Sequence, residues 1–423
     1  MPNIHPRPDM LWKDIRARGE SYQQNKEEVD NLHRTHTYLL RHGRAGLQRR
    51  LMDEIDWSQR IIGIKGSRGV GKTTFLLDYA RRHFAPTSPE CLYINLNQFR
   101  FTTHSLVDFA GSFIQGGGRT LLLDQVFKYP NWKEEFKQCY RIYPTLHIVF
   151  TASAVMNLDE EDPELAAITS IYHLAGFSLR EFIHLDNGIV LPTFTLEDII
   201  ERTQEVVGEI TRSVNPALWM DRYLEYGYYP FHLESRLYSE NLLKTLNMTL
   251  EVDLLFIKQL EQRLLHKLRK LIFLLAQQPP LSMLNVSQLA NEIETSRTTV
   301  MNYIRYLSDA RVLRPTFRVD ETDTKKPAMI YLGNPNLYKA LSEDEPDRSE
   351  LLRTFVFNQI SKGHEFRLAS RSSIALFEID GKYPVQIESE LGGRYRSDRY
   401  YVLEQGDLSR DKTIPVWLFG FLY

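Results

Sequence analysis

Residues Gly66-Ser67-Arg68-Gly69-Val70-Gly71-Lys72-Thr73 keep the spacing G-x-x-x-x-G-K-[ST] at every fixed position. Glycines so spaced let consecutive backbone N–H groups turn inward around a phosphate, and a helix opening at the end of the loop adds partial positive charge. Lys72 then reaches the outer phosphates of a nucleoside triphosphate and the Thr73 hydroxyl ligates Mg²⁺, with Thr74 completing the cradle. A second reactive group ends the apolar run Leu121-Leu122-Leu123-Asp124. A carboxylate at the C-terminal tip of a parallel strand stands where open α/β sheets bind ligands. There Asp124 holds Mg²⁺, directly or through water; the alternative is an aspartate that simply caps Gln125–Tyr129.

Both groups need a sheet to position them. Five short apolar runs supply it: 61–65, 91–96, 120–124, 146–151 and 170–174. Near-continuous apolar strands alternating with helices predict a parallel sheet covered on both faces. The glycine loop follows the first run and opens a helix from Thr73 to about His83, ahead of Pro86. The fold class expected is therefore α/β, with 423 residues leaving room for further domains. Residues 1–55 are polar, with an arginine-rich helical stretch at 41–50; 195–276 reads as mostly helical, with a long periodic stretch at 254–276. Pro279 and Pro280 mark a boundary.

Composition narrows the function classes. Lys and Arg number 52 against 54 Asp and Glu, so a protein whose main task is coating nucleic acid is disfavoured. The apolar runs are too short for a membrane helix, and Met1–Pro8 has no apolar core of a secretion signal. Cys91 and Cys139 alone form neither a disulfide framework nor a thiolate zinc site. A soluble, cytoplasmic, multidomain protein is expected.

At this point the chain resembles the archaeal-type AAA+ ATPases, widespread in prokaryotes, that carry a winged-helix element and a C-terminal nuclease-like domain of uncharacterised function. The stretches that carry the resemblance are 62–74, 122–132, 148–154, 176–182 and 227–231. It implies ATP and Mg²⁺ as ligands, a sheet whose fourth strand lies between the P-loop strand and the third, and a helical lid moved by nucleotide. Departures matter as much. The resemblance calls for a water-orienting glutamate after Asp124, where this chain has Gln125, and an amide cannot accept the proton a carboxylate would. It also calls for a Ser-Arg-Arg run where the chain reads Leu165-Ala-Ala-Ile-Thr169, and no Lys or Arg occurs between Met156 and Phe177. Losing an arginine that neutralises the transferred phosphoryl group is costly in rate. Arg180 either compensates or is a helix-surface residue. Thr151, with Ser153 as fallback, matches the polar position that senses the γ-phosphate; the alternative is a strand-end threonine bonded to backbone.

Downstream, 286–307 reads as helix–turn–helix, with Ser287 and Ser296 as caps and Leu289, Ile293, Val300, Ile304 and Leu307 as its core. Arg297, Thr298, Asn302 and Arg305 form its exposed face, for DNA or as the solvated side of a lid; the neutral overall charge favours the lid. In the nuclease-like segment, metal binding requires an aspartate, then a glutamate and a lysine. Asp380 and Glu388 are available, but Glu390 occupies the lysine position, and Asp380 also fits the first residue of an Asp-Gly hairpin turn. His33 and His36 read as a solvated helix face. The organisation expected is an N-terminal helical segment (1–55), AAA+ core (56–190), helical lid (191–280), winged helix (281–322) and degenerate nuclease-like domain (323–423). The function expected is an ATP–Mg²⁺-dependent switch with weak or lost hydrolysis, with a protein partner or self-association. The alternative is a DNA-binding winged-helix protein whose assembly ATP controls.

Overall fold

The computed structural model describes residues 27, 29–43, 47, 49–98, 101, 105–231, 237–279, 281–320, 326–369, 375–391, 395–406 and 408–423, with backbone alone at 159. The Met1–Pro8 stretch, Pro280 and the expected boundary at 322 lie outside the described residues. The chain divides into two compact units. The first comprises residues up to 65, 72–152 and 157–172; the second comprises 66–71, 153–156 and 173–423.

The first unit is built on five strands: β1 (Ile61–Gly66), β2 (Cys91–Asn95), β3 (Thr120–Asp124), β4 (His147–Ser153) and β5 (Ser170–His173). Their order is β2-β3-β4-β1-β5, so β4 lies between β1 and β3, as the resemblance implies. β2, β3 and β4 pair in parallel, with Asn95 opposite Asp124 and Leu122 opposite Val149. Leu121, Leu122 and Leu123 are fully buried, which is why this run is apolar throughout rather than alternating. Helices Lys72–His83, Leu106–Gln115 and Trp132–Ile142 each bury one stripe, through Leu76 and Ala80, Phe109 and Phe113, and Phe136. Phe136 meets Phe150 of β4 edge-on at 5.2 Å. Helix Leu106–Gln115 begins at Ser105, and the Glu135 carboxylate accepts the Leu106 N–H at 2.6 Å, an anion where the helix dipole favours one.

Two expectations for the N-terminal segment change. The helix runs over 29–42: the Gly43 N–H closes it on the Leu39 carbonyl, and among the described residues of the expected stretch 41–50 only 41 and 42 are helical, with the short helix Leu51–Glu54 following. His36 is not on a solvated face. It is 1% exposed, and its Nδ1 accepts the Tyr93 N–H of β2 at 3.0 Å.

The second unit is helical first. Helix Leu179–Asn187 starts with a reciprocal Ser178/Glu181 capping box. Helices Leu196–Glu201, Thr203–Thr211, Ala217–Tyr226 and Tyr238–Met248 follow, and then an eight-residue π-helix, Thr249–Phe256. The periodic stretch 254–276 is therefore not one helix. The Leu260 N–H bonds back to the Leu255 carbonyl and Gln259 sits at φ 51°, a left-handed C-terminal closure, before helix Leu264–Ala276 begins.

Helices Val286–Glu292 and Arg297–Asp309 come next, with Leu289, Ile293, Val300, Ile304 and Leu307 all buried. Ser296 caps the second, accepting from the Thr299 N–H; the first is capped by Asn285 rather than Ser287, because the helix starts two residues earlier than a Ser287 cap implies. Strands β6 (Leu313–Thr316) and β7 (Met329–Leu332) form an antiparallel ribbon. Helices Pro335–Leu341 and Arg348–Ile360 lead into β8 (Phe366–Leu368), β9 (Leu376–Ile379), β10 (Tyr383–Glu388), β11 (Tyr400–Leu403) and β12 (Thr413–Pro415), ordered β12-β11-β10-β9-β8. β8, β9 and β10 pair antiparallel, whereas β10, β11 and β12 pair parallel. Buried Asn336 ties this unit together. Its amide donates to the Tyr223 and Leu224 carbonyls, and its oxygen accepts from the Tyr228 N–H and the Tyr238 hydroxyl.

Candidate functional site

The loop 66–71 runs from the tip of β1 into helix Lys72–His83. Gly69 (φ 84°), at a variable position of the motif, and Gly71 (φ 93°), at a fixed one, both hold left-handed backbone that a side chain would strain, and so make the turn possible. Around Gly69 the second unit leaves no slack: a Cβ there would come within 3.1–3.3 Å of Thr245, Phe231 and Tyr229. Arg68 Nη2 donates to Asp253 Oδ1 at 2.6 Å, and Asp253, on the π-helix, is 3% exposed. Sequence spacing gave no hint of Asp253, which lies 185 residues away.

Within the first unit, Asp124 ends β3 and is buried, and three hydroxyls satisfy its carboxylate. Oδ2 accepts from Thr73 Oγ1 at 2.7 Å and from the Tyr93 hydroxyl at 2.9 Å; Oδ1 accepts from Thr151 Oγ1 at 2.5 Å. The sheet explains the convergence, since parallel strands bring the C-terminal ends of β2, β3 and β4 to one edge. Burial, and after it the charge of Asp124, pushes the Tyr93 phenol far above its usual range, so Tyr93 remains a donor. Tyr93 is the member of this group that the sequence did not single out. Its signal was present in the apolar run 91–96, where an aromatic with a hydroxyl sits one strand from Asp124.

Gln125 directly follows, with φ 60° and ψ 49°, a left-handed conformation rare for a residue with a side chain. Its N–H donates to Thr151 Oγ1 at 2.8 Å. The Thr151 hydroxyl is thus engaged on both sides, whereas Ser153 Oγ is buried with no hydrogen-bond partner among the described residues. One hydroxyl and one carboxylate, both hard oxygen donors, suit a Mg²⁺ ion that takes its remaining ligands from phosphates and water. Among the described residues no group of three or more His, Cys, Asp or Glu could hold a metal alone.

The other nominated residues lie elsewhere. Arg180 is not a helix-surface residue: it is 6% exposed, and its guanidinium donates to the carbonyls of Tyr423 at 3.0 Å and Leu191 at 3.3 Å. Asp380 (φ 55°) and Gly381 (φ 63°) make the turn between β9 and β10. The Asp380 carboxylate is taken by His364 Nδ1 at 2.7 Å and the Glu365 N–H at 2.8 Å. Glu388 accepts from Gln386 Nε2.

Residues 58–183 match the family described as an AAA domain, and residues 218–348 match a domain of unknown function. No curated protein matches the chain. Among solved structures, a RuvB variant from Thermotoga maritima is 14% identical, with a TM-score of 0.29 over 77% of this chain and 95% of that chain. The S. cerevisiae Hsp104–ADP complex is 14% identical, with a TM-score of 0.31 over 65% of this chain and 41% of that chain. Scores this low bear on neither fold nor function. The parallel five-stranded sheet and the AAA-domain match make this part of the chain an α/β P-loop NTPase domain of the nucleotide-binding AAA+ class. No helix among the described residues is long and apolar enough to cross a membrane.

Proposed function

We propose that the protein is an ATP–Mg²⁺-dependent conformational switch of the archaeal AAA+ type whose hydrolytic step is weak or lost. The observation that carries the reading is the tip of β3: Asp124 is fully braced by Thr73, Tyr93 and Thr151, while the next position offers an amide, Gln125. In this reading Gly66, Ser67, Arg68, Gly69, Val70 and Gly71 present amides to the phosphates, Lys72 supplies positive charge, and Thr74 lies on the first helical turn. Thr73 and Asp124 hold Mg²⁺, which when bound neutralises charge on the β- and γ-phosphates. Thr151 is read as the γ-phosphate sensor, and Ser153, whose buried hydroxyl has no hydrogen-bond partner among the described residues, is the fallback. Gln125 can orient a water but cannot take its proton, and Arg180, tied to two carbonyls, cannot serve as a finger.

The helices between 191 and 280 serve as the lid. The Arg68–Asp253 pair supports this reading, because it links the phosphate loop to a π-helix, a form that often marks functional segments. Residues 281–322 serve as a winged helix and 323–423 as a structural domain on a nuclease-like fold. The test is one titration with ATP and Mg²⁺, read for both affinity and phosphate release. Tight binding with little release is expected, and Lys72→Ala should abolish binding. Brisk release by the wild type would remove the weak-hydrolysis part; indifference to nucleotide would remove the whole reading.

A further inference from the structure

We propose that the open cleft bounded by helix Arg297–Asp309, strand β6 and strand β8 is a second, separate ligand site. Its ligand is a 5′-phosphorylated nucleoside, free or as the end of a single strand. The cleft measures about 730 Å³, within the ~300–1,000 Å³ of small-molecule sites, and all of its lining belongs to the second unit. Four guanidinium groups line it, those of Arg305, Arg311, Arg314 and Arg367, against the carboxylates of Asp309 and Glu365. Glu365 is already engaged by Arg367 at 2.6 Å, and the lining imidazole of His364 is engaged by Asp380.

Arg305 lies over the Tyr306 ring, and neither it nor Arg311 has a hydrogen bond or ion pair to its guanidinium among the described residues. Arg314 donates to the Gly333 carbonyl at 3.1 Å with its guanidinium 5.7 Å from the Phe357 ring. Burial lowers its pKa to about 10, which leaves it charged at neutral pH. Arg305 and Arg311 are exposed, so their charge is open to an entering anion, and guanidinium forks match phosphate oxygens two at a time. Ile304, Leu313, Phe357 and Phe366, all buried, form the packed apolar floor of the cleft.

The same geometry argues against duplex DNA as the occupant. Asn302 and Arg305, on the face that would enter a major groove, instead form one wall of a cleft whose other wall carries Phe366 and Arg367.

The test uses a 5′-phosphorylated, 3′-fluorescent thymidine tetranucleotide read by anisotropy, with thymidine 5′-monophosphate as competitor. Wild-type and Lys72→Ala proteins are both measured, so that the phosphate loop is excluded. Binding should persist in Lys72→Ala, weaken with salt and fall at least tenfold in Arg305→Ala/Arg311→Asn; asparagine suits the left-handed backbone at 311 (φ 61°). Arg305→Lys/Arg311→Lys should fall between the two, which a merely misfolded variant would not show. Equal affinity of monophosphate and tetranucleotide identifies the free nucleotide, and a tenfold preference for the tetranucleotide identifies the strand end. No anisotropy change, binding unaltered in the arginine variant, or loss in Lys72→Ala alone would overturn the proposal.

Discussion

Lowering the pH should loosen the first unit at one identifiable ring. His36 is 1% exposed; its Nδ1 accepts the Tyr93 N–H, and its Nε2 is buried without a partner among the described residues. Protonating Nδ1 would place two donors face to face, in surroundings that already disfavour charge. Burial, and after it the charge of His33, lowers the His36 pKa from 6.5 to about 4. Between these values the unfolded chain binds the proton and the folded one does not, so stability falls as pH drops through this window and changes little from this group below it. At 1.36 kcal/mol per unit, the full effect is about 3 kcal/mol, of which about 2.5 kcal/mol is lost by pH 4.5. His33, also lowered chiefly by burial with Asp30 opposing, acts in the same direction.

Two units make global unfolding a poor gauge, so the readout is hydrogen exchange at the Tyr93 amide, at pH 7.0 and pH 4.5, in wild type and His36→Asn. Asparagine places an acceptor where Nδ1 stands and does not titrate. The variant should be weaker at pH 7.0, and the gap between the two proteins should shrink by about 2.5 kcal/mol at pH 4.5. A gap that stays constant within ~0.5 kcal/mol would refute the coupling, as would an NMR titration of His36 with a midpoint near 6.5.

Further outcomes follow from the same contacts. Arg68→Met should destabilise the second unit by about 3 kcal/mol, because the buried Asp253 carboxylate loses its partner. Adding Asp253→Asn should recover part of that loss, as read by a double-mutant cycle in urea. Asn336→Ala takes the Asn336 partner from the Leu224 carbonyl and the Tyr228 N–H and one of two partners from the Tyr223 carbonyl, which keeps the Gly227 N–H; it should cost about 3 kcal/mol by denaturant midpoint. Gln125→Gly removes a left-handed non-glycine residue and should raise thermal stability by about 1 kcal/mol, an effect calorimetry can read. Gln125→Glu should leave ATP affinity equal or weaker and should not lower phosphate release in single-turnover assays.

The glycine loop, Asp124 and the five strands were legible because each depends on short-range patterning: fixed spacing, an apolar run, an acid at its end. Residues whose environment is set by distant chain were not. His36 and Arg180 looked like surface groups because nothing local shows that β2 covers one and that the Tyr423 carbonyl holds the other. Helix 254–276 looked continuous because periodicity does not register one left-handed glutamine.

The linear chain, then, determined the groups on offer: a glycine-rich turn ending in a lysine, an aspartate at a strand tip, and an amide beside it. Only the tertiary structure decided which groups share a space. Hydrogen-bond partners such as Tyr93 with Asp124 and Arg68 with Asp253, and the cleft that gathers four arginines, arise where strands and helices far apart in sequence meet. Directional bonds and the shape of a cleft are properties of that packing, and local sequence carries neither.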